Sequence, residues 1–437
     1  MLLKFLCLSI LILNLILYSI SAQDLNTEKI QIDSISISGN YKTLTSVIKR
    51  ELSFSKGDFV DSSILNYNRE RIFSLGLFNR VVLTVVNKKQ KNILKIIVKE
   101  SWYIFALPVI ETIGKSFSKA QYGLFILHKN FSGRNDKFFL KTAIGYDPYF
   151  LLAYSNPYIG KDGSYYYSIS AKHQKKNNQS LLAKKLAEKE FVYKINSINF
   201  SFGKRISNYS MIISGIGFTN LSADFYKPLI TISTKGKDNF LNVGLSYVYD
   251  SRDLIQSAET GFYFNIQYLK LGLIGSLNSN VIDMDVRNYL PLYKSIYIKN
   301  RLYVKTVFGK QIPYYQHAIL GIGDFVRGHQ NDIREGLAFI LSSNEINIPI
   351  IKEWDLKFKL PLLPENLTEV RIGINVFCFF DTGSTFNNYK EIRKKNFYNG
   401  YGLGLQLLIL PHNAWHFEYS FNEFGKGEIT IGTGFSF

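Results

Sequence analysis

From Ser101 onward the chain alternates apolar and polar positions in segments of about ten residues, separated by polar or glycine-bearing turns. FFLKTAIGY, SYYYSISAK, LNVGLSYVYD, GFYFNIQYLKL, SIYIKNRLYVKTVFG, EVRIGINVFCFFD, GYGLGLQLLIL, WHFEYSF and EITIGTGFSF all carry this pattern. A period of two puts successive side chains on opposite faces of a strand. In lipid such strands satisfy every backbone donor and acceptor only if the sheet closes on itself, so the pattern predicts a transmembrane barrel. Counting gives ten strands before Leu292, one from about Leu292 to Phe308, and five after Gly336. In the final segment Ile429, Ile431, Thr433, Phe435 and Phe437 alternate with Thr430, Gly432, Gly434 and Ser436, an apolar edge toward lipid with small residues inside. A soluble β-sandwich competes with this reading, but accounts poorly for so many outward tyrosines and phenylalanines.

Between Lys29 and Glu100 the periods mix. IQIDSISISG alternates through Ile30, Ile32, Ile35 and Ile37, slips once at Asp33-Ser34 and ends at Gly39-Asn40, a strand and a turn. Leu44, Val47, Ile48 and Leu52 share one helical face, and a second helix is expected from about Asp61, an N-cap, to Leu75, closed by Gly76. RVVLTVV and ILKIIVKE then flank NKKQKN as a hairpin. The expectation is a small α+β domain over residues 29–100 followed by an all-β membrane barrel of about 16 antiparallel strands over 101–437.

Residues 1–22 read as a secretory signal peptide: Lys4, an apolar run from Phe5 to Tyr18, and small residues up to Ala22. The run is short for an uncleaved anchor, and Cys7 lies too early to be a lipidation cysteine. Cleavage leaves Cys378 as the only cysteine, so no intramolecular disulfide forms. The net charge of +18 raises nucleic acid as a partner, but the cations are spread over turns and loops of an exported chain, so none is expected. Lysines on an outer surface could instead meet lipid phosphates.

GIGDFVRGHQ, Gly321–Gln330, sits in a long segment, roughly 309–336, without clear strand alternation. A barrel whose first strand leaves the periplasm makes this connection between strands eleven and twelve extracellular. Loops of this length usually have a function or are disordered, and Phe325 and Val326 are odd choices for a segment in water. The loop is expected to fold back into the barrel, where Arg327 would meet carboxylates on the inner wall. Glu345 and Asp381, on the next two strands, are the candidates, since a guanidinium stays charged and holds carboxylates bidentately. Taken alone, the Arg327-Gly328 dipeptide points rather to an ordinary exposed loop arginine.

Several motifs together carry a resemblance. SGNYKT, IKREL, Gly57-Asp58 and LGLF followed by Val81 resemble a polypeptide-transport-associated (POTRA) domain. VRGH resembles the VRGF/Y loop motif of the BamA/TamA family of outer-membrane assembly proteins. YDSRD (Tyr249–Asp253) with Gly261, the strand GYGLGL from Gly400 and the terminal Phe437 match as well. The resemblance implies that Arg327 docks on Glu345 and Asp381, that Asp250, Arg252, Asp253 and Gly261 form a barrel motif, and that the last strand is read during assembly. Three positions depart: His329 follows Arg-Gly in place of the usual aromatic, Asn347 replaces an arginine, and Ala258 a proline. There is also room for only one POTRA domain.

The function implied is assembly or insertion of β-barrel proteins into the bacterial outer membrane. Unfolded clients would be captured by strand addition on a periplasmic POTRA domain and templated at a seam between first and last strands, which Gly432 and Gly434 would weaken. Glycines there could also relieve crowding inside the barrel. A two-partner-secretion translocator and a passive channel are the alternatives. Partners would be the clients, outer-membrane lipid, and periplasmic or lipoprotein components that the sequence does not name. No enzyme, cofactor or metal is expected: G-x-S-x-G and H-E-x-x-H are absent, and His412 and His416 in PHNAWH read as turn residues. Asp324 reads as a loop-internal partner of Arg327, and KKNNQSLLAKKLAEKE, Lys175–Glu190, as a solvated extracellular loop.

Overall fold

The computed structural model describes residues 29–112, 119–160, 162–330, 332–359, 361 and 364–434. The expected signal peptide and Phe437 lie outside them.

The N-terminal domain splits where its sequence slips. β1 (Ile30–Gln31) pairs with β3 (Phe59–Val60), whereas β2 (Ser34–Ser38) runs parallel to β5 (Lys91–Glu100), which pairs in turn with β4 (Phe78–Lys88). Asp33, between β1 and β2, turns its carboxylate to the Asn92 amide, so the change of parity is a change of sheet. Helix α1 (Thr45–Lys49) and helix α2 (Ser62–Phe73) pack on the sheet over Ile48, Ile72, Phe73, Leu94 and Ile96. Asp61 caps α2 by accepting from the Ile64 amide, and Gly76, at φ +66°, closes its end. Lys89 and Gln90, at φ +53° and +62°, form the tight β4–β5 hairpin turn.

Sixteen antiparallel strands follow in one sheet, each paired with its sequence neighbours. They are β6 (Ile104–Thr112), β7 (Ala120–Lys129), β8 (Lys137–Gly145), β9 (Tyr149–Ile159), β10 (Tyr165–Asn177), β11 (Val192–Arg205), β12 (Ser210–Ala223), β13 (Lys237–Asp250), β14 (Gly261–Gly275), β15 (Asn278–Tyr293) and β16 (Ile296–Gln311). After the long loop, which holds the short hairpin β17 (Ala318–Leu320) and β18 (Arg334–Gly336), come β19 (Ala338–Lys357), β20 (Glu369–Phe386), β21 (Tyr398–Leu410), β22 (Asn413–Asn422) and β23 (Gly427–Thr433). The outward positions carry Ile169, Ile198, Ile216, Leu245, Leu403 and Ile431, all exposed. Water would penalise so continuous an apolar surface, whereas lipid does not. Among the described residues no helix is long and apolar enough to cross a membrane.

The N-terminal domain covers the end of the barrel that carries the β13–β14 and β21–β22 turns. Its core is continuous with Leu254, Leu408, Leu410 and Ala414 of the barrel. The two sides of α2 grip different parts of the rim: Glu70 pairs with Arg371 of β20 at 2.7 Å, both side chains 9% exposed, while Arg71 reaches turn carbonyls between β13 and β14. At the far end the Lys175–Glu190 segment is not simply solvated. It forms α3 (Leu181–Ala187), capped by Ser180, whose Ala183 and Ala187 pack with Phe191, Tyr193, Leu221 and Ile230 into a lid of side chains. Small residues at helical spacing inside a lysine-rich run carry that face, and the run's charge hides it.

Candidate functional site

The loop between β16 and β19 turns inward. Its β17–β18 hairpin and Val326 pack on Phe339 and Leu341 of β19 and Tyr303 of β16, which gives Val326 an apolar seat. The next residue is thereby carried to the wall. Arg327 donates from Nε and Nη2 to the two Asp381 oxygens, both at 2.7 Å, and from Nη1 to Glu345 Oε1 at 2.7 Å. Its backbone amide adds a bond to Asp381 Oδ2 at 3.2 Å. The guanidinium lies 3.8 Å over the Phe379 ring. Burial opposes a charge here, but the carboxylates outweigh it and hold the arginine firmly protonated.

Glu418 of β22, 3.4 Å from Nη1, is a third carboxylate that sequence reasoning missed. Its signal was available, since the alternation of WHFEYSF puts it on the inner face. Lys299 of β16, directly opposite Glu345 in the ladder and 1% exposed, brings a second cation to the site. Asn347, where the resembled pattern has arginine, donates to Glu345 at 3.3 Å. Asp324 does not pair with Arg327 as expected; it lies 3.5 Å from Arg301 of β16. Only Phe325 and Val326 separate the two loop residues, yet they reach different strands.

The inward glycines of β21 make the seat. A Cβ on Gly400 would lie 1.6 Å from the Arg327 carbonyl oxygen, and one on Gly402 would meet Phe379 at 2.8 Å. Gly328, at φ +88°, is held to glycine twice, because a Cβ would also sit 2.8 Å from the Phe421 carbonyl oxygen. His329 Nε2 lies 2.7 Å from Glu423, and its ring stands edge-on to Tyr398. Beyond it Gln330 donates its amide to Glu428 and accepts from Thr430 through its side chain. The docked loop therefore touches β19, β20, β22 and the last strand, β23. Gly432 of that strand and Gly434 just past its end meet no neighbour among the described residues where a Cβ would sit, so crowding among those residues does not explain them.

The second motif sits at the opposite end. Arg252 chelates Asp250 through Nε and Nη2 at 2.9 and 2.8 Å and lies over the Tyr263 ring. Asp253 accepts from the Glu259 amide, and Gly261, at φ +114°, approaches the Ser251 carbonyl too closely for a Cβ. Ala258, where a proline often stands, is buried inside the turn. The turn so held presents backbone carbonyls to α2: Ser251 accepts from Tyr67, Asp250 and Arg252 from Arg71, and Asp253 from Ser74. Among the described residues no group of side chains is arranged to hold a metal ion.

Residues 30–101 match the POTRA model, described as surface antigen variable number repeat, and residues 130–437 match the Omp85 superfamily domain. The chain belongs to the Omp85 superfamily. Omp85 barrels reside in the outer membrane. BamA from Haemophilus ducreyi lacking POTRA domains 1–3 is similar in structure, with a TM-score of 0.55 at 16% identity over 93% of this chain and 84% of that one. CdiB from Acinetobacter baumannii scores 0.52 at 15% identity, covering 92% and 73%. CdiB from Escherichia coli scores 0.51 at 10% identity, covering 94% and 91%. At such identities the likeness is one of fold. No curated protein matches this chain. As an Omp85 barrel the chain keeps one POTRA domain and the docked loop, with His329 paired to Glu423 where the resembled motif has an aromatic.

Proposed function

We propose that this protein assembles or inserts β-barrel proteins into the outer membrane, with the POTRA domain in the periplasm and the Arg327 loop entering from the cell surface. The observation that carries the reading is a free sheet edge. The ladder runs from β6 to β23, and among the described residues these two strands do not pair with each other. Unpaired edges accept an incoming strand, since each exposes a row of donors and acceptors. β23 is seven residues long, held on one side by β22 and on its inner face by loop contacts through Glu428 and Thr430. The docked loop then steadies the template while its outer edge stays available. A passive channel fits poorly, since the loop occupies the lumen and the N-terminal domain covers one mouth.

Depletion of the protein tests this directly. The outer-membrane proteome is compared after rescue with wild type and with a variant whose β6 and β23 edges are joined by an engineered disulfide. Loss of many barrels, restored by wild type but by the cross-linked variant only under reduction, is the expected result. An intact barrel set with one exported polypeptide missing would instead mark a translocator of the two-partner-secretion kind.

A further inference from the structure

Strands β10 to β13 carry, on their outward face, three rows set by the ladder register. The first is apolar: Ala171, Ile198, Phe218 and Leu241. Two residues nearer the α3 end comes a polar row of His173, Asn196, Asn220 and Asn239, and two further on a row of Lys175, Lys194, Ser222 and Lys237. Residues of the opposite parity, Tyr193, Leu221, Ala223, Asp238 and Phe240, are buried inside, which fixes the three rows as outward.

The polar row is a joined ladder. His173 Nδ1 lies 2.7 Å from Asn196 Oδ1, Asn196 donates to Asn220 at 3.3 Å, and Asn220 donates to Asn239. Amides facing hydrocarbon would be costly, so this row marks the level where the apolar zone gives way to a polar linkage region. The lysine row is unfavourable as it stands. Lys175 and Lys194 are direct cross-strand partners, a like-charge pair that destabilises a sheet. Asp224 relieves Lys194 at 2.9 Å, but among the described residues Lys175 and Lys237 form no ion pair. From Lys175 to Lys237 is three strand spacings, about 14 Å, wider than one phosphate group.

We propose that this face is a binding site for a phosphorylated, multiply acylated saccharide lipid of the outer leaflet. Its acyl chains would lie on the Ile198–Phe218 row, its amide and ester linkages on the asparagine ladder, and its two separated phosphates on Lys175 with Lys194 and on Lys237. Charge complementarity with unpaired lysines names the phosphates, and the width of the row names a head group carrying two. The leaflet assignment rests on the membrane orientation proposed above; the chemistry does not.

The full chain, purified in non-ionic detergent, is titrated with lipid A, phosphatidylglycerol or inorganic phosphate and read by native mass spectrometry. Lipid A is expected to bind most tightly. A Lys175→Gln/Lys237→Gln variant, which leaves the Lys194–Asp224 pair intact, should bind it about thirtyfold more weakly, taking each surface lysine as roughly a five- to sixfold step. Both lysines are exposed, so the variant should keep the heat-modifiable mobility of a folded barrel. Equal binding by variant and wild type overturns the site. Phosphatidylglycerol binding as tightly as lipid A, or inorganic phosphate displacing it, overturns the saccharide-lipid assignment. Orientation is read separately with Lys237→Cys in a Cys378→Ser background: a membrane-impermeant maleimide should label intact cells. Labelling only after the outer membrane is opened would overturn the leaflet assignment and the orientation while leaving the titration to judge the chemistry.

Discussion

Replacing Arg327 by alanine removes three short charge-assisted hydrogen bonds and leaves Glu345 and Asp381, with side chains 1% and 2% exposed, facing each other and Glu418. Breaking a buried pair costs about 3–5 kcal/mol, because the remaining charge is desolvated without its partner. Lys299 stays beside Glu345 and Asp381 keeps the loop's backbone amide, though the substitution does not restore a bidentate partner. The cost falls on the docked state of the loop rather than on the barrel ladder, so the docking equilibrium should shift by roughly 10² to 10³·⁵. Hydrogen exchange reads this locally. The amides of Gly321 and His329 are bonded within the docked loop, to Asp324 and Val326. In Arg327→Ala these should lose protection by at least about a hundredfold, a shift of ~3 kcal/mol, while amides of β10 to β13 keep theirs. Arg327→Lys should fall between, since an ammonium keeps the charge but cannot chelate Asp381 and reach Glu345 together. Loop protection within tenfold of wild type in the alanine variant would refute the reasoning, and would mean that the Val326 packing alone docks the loop.

Two further predictions concern the same fold. Gly400→Ala should undock the loop about as thoroughly as Arg327→Ala, because its Cβ would lie 1.6 Å from a backbone oxygen that cannot swing aside; the same exchange measurement checks it, and unchanged protection would show the wall to be more pliant than the geometry allows. His412, in the turn between β21 and β22, is pushed down to about 4 by burial and by nearby Lys129. Its folded value is below the unfolded one, so the stabilisation is full above about pH 6.5 and is lost as pH falls toward 4, up to about 3 kcal/mol. Urea midpoints of wild type against His412→Gln, measured in detergent at pH 8, 5 and 3.5, should converge on acidification; a constant difference would exclude His412 as the source.

Much of this architecture was legible because a period of two and a turn leave marks on the sequence that need no tertiary information. The sixteen strands, the α2 cap at Asp61 and the closing Gly76 are local events, and even the slip at Asp33-Ser34 recorded a real break between sheets. The basic residues were readable only as scattered, since the sequence does not show that Lys175, Lys194 and Lys237 fall in one row until the register of four strands is known. The α3 lid was hidden for a related reason: a seven-residue helix gains its stability from packing on Phe191 and Tyr193, not from its own run.

By itself, then, the sequence determined which faces of which strands meet lipid, where the chain turns, and that an arginine sits in a glycine-bearing loop too long to be a simple connection. Tertiary structure alone decided where that arginine goes. Asp324, three residues away, was the local candidate and pairs elsewhere, while Glu418, ninety-one residues on, is among the carboxylates around it. Curling the sheet round one interior brings strands distant in sequence face to face and points alternate residues at it. Which charges share that interior depends on register and on the space left by Gly400 and Gly402, and neither is a property of a local stretch of chain.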